Sequence, residues 1–349
     1  MTVNELTMRL SRSINLGLGS ARYLPGICLL FVVGYLGKIV ANYVPHTEYV
    51  LFAIAIGMLL RNTIKIPQIF VPGINTYEFW LKTGIVLMGS RLALQNVISI
   101  GATGLLLVVA VIFVALLSAT YLGRLFGLSE RMATLIGVGV GICGVSAIIG
   151  TTGAIDAKEE DASYAIATIM VFGAIMVFLF PLLGHMWGLS DEFFGFWTGL
   201  SLDNTAAAVA TGFAYSEAAG NLATVVKLSR NALMGVVILI IALLYARKGL
   251  RDRVENKAAF LWSRFPKFLL GFLAFSLLAT LGFFDPGQVK ALDNLSKWFF
   301  LLTFAGVGLS TEFSRMKAGL KPFLVGLGVE TVAAAVSSVM ILLLLGVES

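Results

Sequence analysis

Arg91, Asp203, Lys227 and Arg230 are ionisable side chains set inside long apolar runs, where charge is out of place unless it meets a partner or water. Each charge at the centre of a lipid bilayer costs roughly 2.5–3.5 kcal/mol on insertion scales. Lys227 and Arg230 are three apart and so share one helix face, with Asn221, Thr224 and Asn231 on the same helix. Snorkelling to the interface and ion pairing with Asp203 are the structural readings of this pair. The cations outnumber the acids near them, which favours an anionic ligand over a cation or proton. Lys38, Lys82 and Glu330 fall closer to the ends of apolar runs.

Glycine supplies the second chemical signal. Gly137, Gly139, Gly141 and Gly144 fall within eight positions of one apolar run. Glycine weakens a helix by about 1 kcal/mol relative to alanine. Close packing accounts for Gly137 and Gly141 but not for all four. A broken helix accounts for all four, because unwound backbone persists in a membrane only where it lines a cavity. A half-helix starting at Gly144 to Ser146 would aim free N–H groups and a partial positive charge at an anion, and Ser146 adds a hydroxyl. Asn204 and Thr205, after Asp203, would do the same from the other side.

Other chemistries lack their residues. There are two histidines, His46 and His185, far apart, and two cysteines, Cys28 and Cys143, in separate apolar runs. No zinc spacing, disulfide framework or Ser-His arrangement follows from them. There is no phosphate-loop motif. The chain is expected not to be an enzyme and to hold no cofactor or metal.

The elements that must carry these residues are membrane helices. Of the 349 residues, 58% are hydrophobic and 13% charged, and the mean hydropathy is +0.92. A soluble domain has about 25% charged residues. A helix needs about 20 apolar residues to cross the hydrocarbon core. On that rule spans are expected near 24–44, 49–60, 78–99, 101–123, 131–153, 162–184, 193–214, 221–246, 265–284, 295–313 and 319–347. The fold class expected is therefore an all-α membrane protein of about eleven transmembrane helices with two discontinuous helices. Residues 1–23 form a cytoplasmic N-terminal segment, and 24–347 a single transmembrane bundle with a basic cytoplasmic loop at 247–264.

With eleven spans, sixteen Lys and Arg fall in the loops on the side of the N-terminus and three on the other side. The positive-inside rule then puts the N-terminus in the cytoplasm and the C-terminus outside. The acidic loop from Asp156 to Asp161 is expected to face outward. The net charge of +6 reflects these short basic loops and not a nucleic-acid surface.

The chain also repeats itself. Gly84 to Leu92, with Gly89-Ser90-Arg91, resembles Phe304 to Thr311, with Gly308-Leu309-Ser310. Cys143 to Gly153 resembles Asp203 to Gly212, and both end in Thr-Gly. The first pair lies seven spans apart, so the copies would run in opposite senses, which is the mark of an inverted repeat.

Several runs are similar to the YeiH family of bacterial inner-membrane proteins. They are Gly141-Ile142-Cys143-Gly144-Val145-Ser146-Ala147, Ala165 to Gly173, Gly89-Ser90-Arg91-Leu92, Lys227-Leu228-Ser229-Arg230 and Gly306 to Thr311. The resemblance covers about residues 24–346. Members are commonly labelled sulfate exporters and are grouped with bile-acid, arsenite and sodium–proton transporters that share an inverted repeat with crossing broken helices. Some carry His-Glu where this chain has Asp203-Asn204.

The resemblance implies a secondary transporter in the bacterial inner membrane that exports a small inorganic or organic anion, sulfate- or sulfite-like, by alternating access. Arg91, Lys227 and Arg230 would attract the anion, Gly144, Ser146, Asn204 and Thr205 would hold it, and Asp203 would handle a coupling H⁺ or Na⁺. A sodium–proton antiporter centred on Asp203, or a membrane scaffold that transports nothing, are the alternatives. The partners expected are the anion, the lipid bilayer and the coupling ion, with no nucleic acid; assembly into an oligomer is left open.

Overall fold

The computed structural model describes residues 22–44, 48–92, 94–248, 256–312 and 319–345. The expected N-terminal segment 1–23 lies outside them except for its last two residues, as do residues 249–255 of the basic loop. Among the described residues the chain is all helical.

The helices are α1 (Leu24–Ala41), α2 (Tyr49–Thr63), α3 (Val71–Ile74) and α4 (Tyr77–Met88), then a short 3₁₀ turn at Gly89–Arg91. There follow α5 (Leu94–Leu125), α6 (Glu130–Gly141), α7 (Val145–Thr152), α8 (Glu159–Trp187), α9 (Asp191–Ser201) and α10 (Thr205–Tyr215). Then come α11 (Glu217–Ala232), α12 (Met234–Arg247), α13 (Lys257–Arg264), α14 (Phe268–Thr280), α15 (Pro286–Ser310) and α16 (Leu320–Leu345).

Lipid explains why helix is the form taken. With no water at hand, each backbone N–H and C=O must be satisfied inside its own segment. The side chains of α5 divide accordingly. Val108, Val111, Ala115 and Ala119 are buried, while Leu106, Val109, Phe113 and Leu117 on the other face are exposed. An exposed stripe of large apolar side chains is a liability in water and ordinary in a bilayer. Five helical stretches among the described residues are long and apolar enough to cross a membrane: Leu24–Ala41, Gly104–Leu125, Glu159–Trp187, Glu217–Arg247 and Leu320–Leu343. A sixth is counted if α13 and α14, bent by 69° at their junction, form one span.

Ion pairs and hydrogen bonds sort the helix ends onto two faces. On one, here the basic face, Arg61 pairs with Glu312 at 2.6 Å, Lys248 pairs with Glu130, and Ser129 Oγ donates to Asp161 at 3.3 Å. On the other, here the Arg91 face, Arg91 pairs with Glu217 and, at 2.7 Å, with Asp293, and Lys297 pairs with the same two acids.

Two expected spans do not cross between these faces. Residues 131–153 form α6 and α7, and Arg131 Nε at the start of α6 donates to the carbonyl of Ile155, just past α7, at 3.1 Å. Residues 193–214 form α9 and α10, and Ser216 Oγ, just past α10, donates to Asp191 at the start of α9 at 2.7 Å. Tyr215 also donates to the Leu189 carbonyl. Each segment therefore enters, turns and leaves on the face it came from. The first hairpin starts at the basic face and the second at the Arg91 face. The acidic loop from Asp156 to Asp161 is thus beside Ser129 and Arg131, and not across the membrane from them as the eleven-span reading expected. Hydropathy could not separate the two cases, because a hairpin and a crossing bury the same apolar residues.

The turns lie at matching depth. The 12 residues of α6 reach about 18 Å at about 1.5 Å per residue, and the 11 of α9 about 16 Å. Those two lengths add to about the thickness of a hydrocarbon core, near 30 Å. The hairpins must meet near its middle.

Candidate functional site

The first tip is Ile142–Gly144. Gly144 has φ +67°, a conformation that side chains resist, and it lets the chain reverse between α6 and α7. The second tip is Leu202–Asn204, where extended backbone at Leu202 and Asn204 breaks the helix. The tips touch: a Cβ on Gly144 would lie 3.5 Å from Asn204 Cα.

Each arriving helix ends with carbonyls that have no helical partner, and with the negative pole of its dipole. Lys227 and Arg230, both fully buried on α11, answer those carbonyls. Lys227 Nζ donates to Ile142 O at 2.8 Å, and to Leu202 O and Asp203 O at 2.6 Å each. Arg230 Nε donates to Gly141 O at 2.7 Å, and its Nη1 to Leu200 O at 2.5 Å and Leu202 O at 3.0 Å. Both cations therefore bridge both tips. An ammonium has three donors, and Lys227 uses all three on backbone. Arg230 keeps one buried nitrogen, Nη2, without a partner.

The two departing helices start at the tips. Asn204 caps α10 by accepting from the N–H groups of Ala206 at 2.7 Å and Ala207 at 3.3 Å. Gly144 offers α7 no side-chain cap. Beside them lies a cavity of about 420 Å³. Cys143, Val145, Ser146, Asn204, Thr205 and Asn231 line it on the hairpin side. Tyr77, Glu78, Leu81 and Lys82 of α4 and residues 263–268 line it on the other. Lys82 pairs with Glu78 at 3.0 Å. Arg264 and Lys267 add two further positive charges, and Nε of Arg264 is buried with no hydrogen-bond partner. Asn231 donates to Thr205 Oγ1 at 3.1 Å, while its own Oδ1 is unpartnered.

The residues singled out in the sequence divide into three groups. Gly144, Ser146, Asn204 and Thr205 come together at the tips and the cavity. Lys227, Arg230 and Asp203 sit directly behind them, fully buried and outside the cavity lining. Asp203 turns toward α8, its Oδ1 3.5 Å from where a Gly173 Cβ would be, and its Oδ2 has no partner. The structure does not bring Arg91 to this site. Helix α4 stops at Met88, four residues after the close contact of Gly84 with Phe300, and the 3₁₀ turn puts Arg91 at the end of the crossing, bonded to Glu217, Asp293 and Asn221. A continuous span over 78–99 would have placed it mid-membrane. Sequence reasoning missed Arg264 and Lys267 as cavity residues. Pro266, one residue before Lys267 and two after Arg264, marked the turn that folds them over the cavity, but nothing local said where that turn docks.

Residues 25–326 match the family model described as Conserved hypothetical protein 698. A UPF0324 membrane protein of Nitratidesulfovibrio vulgaris (strain Hildenborough) is 35% identical over 335 residues, covering 92% of this chain and 93% of that protein. The chain belongs to the UPF0324 membrane protein family. A UPF0324 membrane protein of Clostridium tetani is 30% identical over 330 residues, covering 90% of this chain and 96% of its own. One from Streptococcus agalactiae serotype V is 33% identical over 318 residues, covering 87% and 92%. This UPF0324 chain is accordingly a membrane protein, as its apolar helices also require.

Proposed function

We propose that this chain is a secondary transporter that moves a small oxyanion, sulfate- or sulfite-like, by alternating access in the bacterial inner membrane. One observation carries the reading. Two hairpins entering from opposite faces meet at mid-depth beside a cavity whose wall offers the uncapped start of α7, Ser146, Thr205 and the charges of Arg264 and Lys267. Donors and excess positive charge facing a small cavity suit a compact anion.

In this reading α1, α2, α4, α5, α8, the α11–α12 pair, α14, α15 and α16 make nine crossings, and the two hairpins replace two of the eleven expected. The odd count keeps the N-terminus inside and the C-terminus outside. Lys158 joins the basic face, which strengthens its assignment to the cytoplasm. The second resemblance, Cys143 to Gly153 with Asp203 to Gly212, falls in two hairpin-plus-crossing units, 130–187 and 191–247, beside the inverted pair Gly84 to Leu92 and Phe304 to Thr311. Each begins on a different face, which supports the reading. Lys227 and Arg230 hold the tips and lend the site their field, while Ser146, Asn204 and Thr205 touch the anion.

Purified protein in liposomes should take up labelled sulfate or sulfite faster than empty liposomes, and Ser146→Ala with Thr205→Ala should slow it. Uptake no faster than in empty liposomes across a panel of anions would sink the reading. The unpartnered Oδ2 of Asp203 favours one competitor, a sodium–proton antiporter. A Na⁺ pulse that moves protons with no anion present would select it.

A further inference from the structure

Four buried polar atoms of three side chains lack hydrogen-bond partners: both carboxylate oxygens of Glu330, Oδ2 of Asp203 and Nη2 of Arg230. Glu330 is 1% exposed, and the other two side chains are fully buried. Glu330 is the eleventh residue of α16, about 15 Å along it at about 1.5 Å per residue, so it lies near mid-membrane.

Its facing follows from its helical neighbours, since residues four apart share a side. Gly326, one turn before, abuts Thr168 and Phe172 of α8. Ala334, one turn after, accepts from Trp197 Nε1 of α9 at 3.0 Å. Glu330 is therefore turned inward, toward the helices behind the hairpin tips, and away from lipid. Phe172 adjoins Gly173, against which Asp203 turns, and Trp197 lies three residues before Leu200, whose carbonyl Arg230 holds, so Asp203, Arg230 and Lys227 are the charges on that side. The other titratable groups on the packed helices sit toward helix ends: Tyr121 and Arg124 on α5, and Glu130 and Arg131 on α6. On α8 they are Glu159, Glu160, Asp161, Tyr164 and His185, and on α9 Asp191 and Glu192.

A buried carboxylate with no donor is not a stable arrangement, and neither is a guanidinium nitrogen with no acceptor. Protonation removes the first penalty, and pairing of the ionised carboxylate with the guanidinium removes both. We propose that Glu330 is a proton-binding site that alternates between a neutral carboxyl, as arranged in this structure, and a carboxylate paired with Nη2 of Arg230. The proton leaves a Glu330 oxygen for water and returns to it from water; no other atom changes. Arg230 already grips Gly141 at one tip and Leu200 and Leu202 at the other. An ionised Glu330 pulling on its free nitrogen therefore changes the hold on both tips at once. On the transporter reading proposed above, on which this last step rests, proton binding at Glu330 is what couples the anion cavity to a pH gradient.

The site and the coupling are tested separately. Infrared spectra of the full-length protein in lipid should show the carbonyl stretch of a protonated carboxyl at neutral pH, shifting in D₂O and fading as pH rises. Glu330→Gln should abolish that band, and Glu330→Asp, which keeps a carboxyl, should move it. Spectra of the wild type and of folded Glu330→Gln that coincide overturn the proton site. In liposomes, Glu330→Gln should lose pH-gradient-driven accumulation of labelled sulfite and retain sulfite exchange. Accumulation at the wild-type level overturns the coupling. If wild-type protein moves no anion, the transporter reading fails by itself, and the infrared comparison still decides for or against Glu330.

Discussion

The ammonium of Lys227 lies 2.8 Å from the carbonyl oxygen of Ile142, and the same nitrogen lies 2.6 Å from the carbonyl of Leu202. One side chain on α11 thereby ties the tip of a hairpin from the basic face to the tip of a hairpin from the Arg91 face. The charge that looks like a ligand for an anion works first as a shared helix C-cap. It neutralises two dipole ends in a place where no water can do so.

That arrangement predicts a stability defect before a binding defect. Lys227→Met leaves the carbonyls of Ile142, Leu202 and Asp203 buried without this donor, at about 3 to 5 kcal/mol. Arg91→Ala removes bonds to Glu217, Asp293 and Asn221 at a helix end where water can reach the 56% exposed Glu217, and should cost less than Lys227→Met. Thermal unfolding in detergent would rank the two. A Lys227→Met protein with wild-type melting and no anion response would mean that Lys227 is a direct ligand after all.

The reversal at the first tip predicts a glycine-specific effect. Gly144→Ala forces a side chain into φ +67° and ψ −124°, outside the left-handed helical region, with its Cβ 3.1 Å from Ile169 Cγ2, and should destabilise by about 1 to 3 kcal/mol. Gly153→Ala is the control, because its φ is −70° and a Cβ there meets nothing within 4 Å. Equal melting temperatures for the two variants would contradict the tip geometry.

Water should reach the cavity. In a protein with Cys28 and Cys143 replaced by serine, single cysteines at 146 and 205 should react with a membrane-impermeant thiol reagent. Sulfate or sulfite should slow the reaction if the anion sits where proposed. A cysteine at 203, behind the tips, should react far more slowly than either. Unreactive cysteines at 146 and 205 would mean that the cavity is closed to water in the working protein.

The hairpins predict a labelling pattern that eleven crossings do not. Cysteines at 127 and 156 should be modified from the same side of the membrane, and a cysteine at 189 from the opposite side. Modification of 127 and 156 from opposite sides would restore residues 131–153 as a crossing.

Much of this was legible before any coordinates. The glycines from Gly137 to Gly144 marked a helix break, and α6 does end at Gly141. Ser146, Asn204 and Thr205 stand out in the sequence as the starts of two half-helices that could face an anion, and all three line the cavity. The composition chose lipid as solvent and, with it, helix as the secondary structure. Arg91 misled because a single span over 78–99 runs through Gly89, Ser90, Gln95 and Asn96, the residues around the turn after Met88.

What composition, spacing and periodicity determine is local: which segments are helical, where they break, and which polar groups must be answered. What only the tertiary structure decided is how they are answered. A broken helix can run on or double back, and the choice depends on which neighbour its second half packs against. The partners of Lys227 and Arg230 are main-chain carbonyls, which every residue carries alike, so no pattern of side chains announces them. Glu330, far along the chain, is buried only because α16 packs against α8 and α9. Hydropathy is summed along the chain, whereas burial and pairing are set across it.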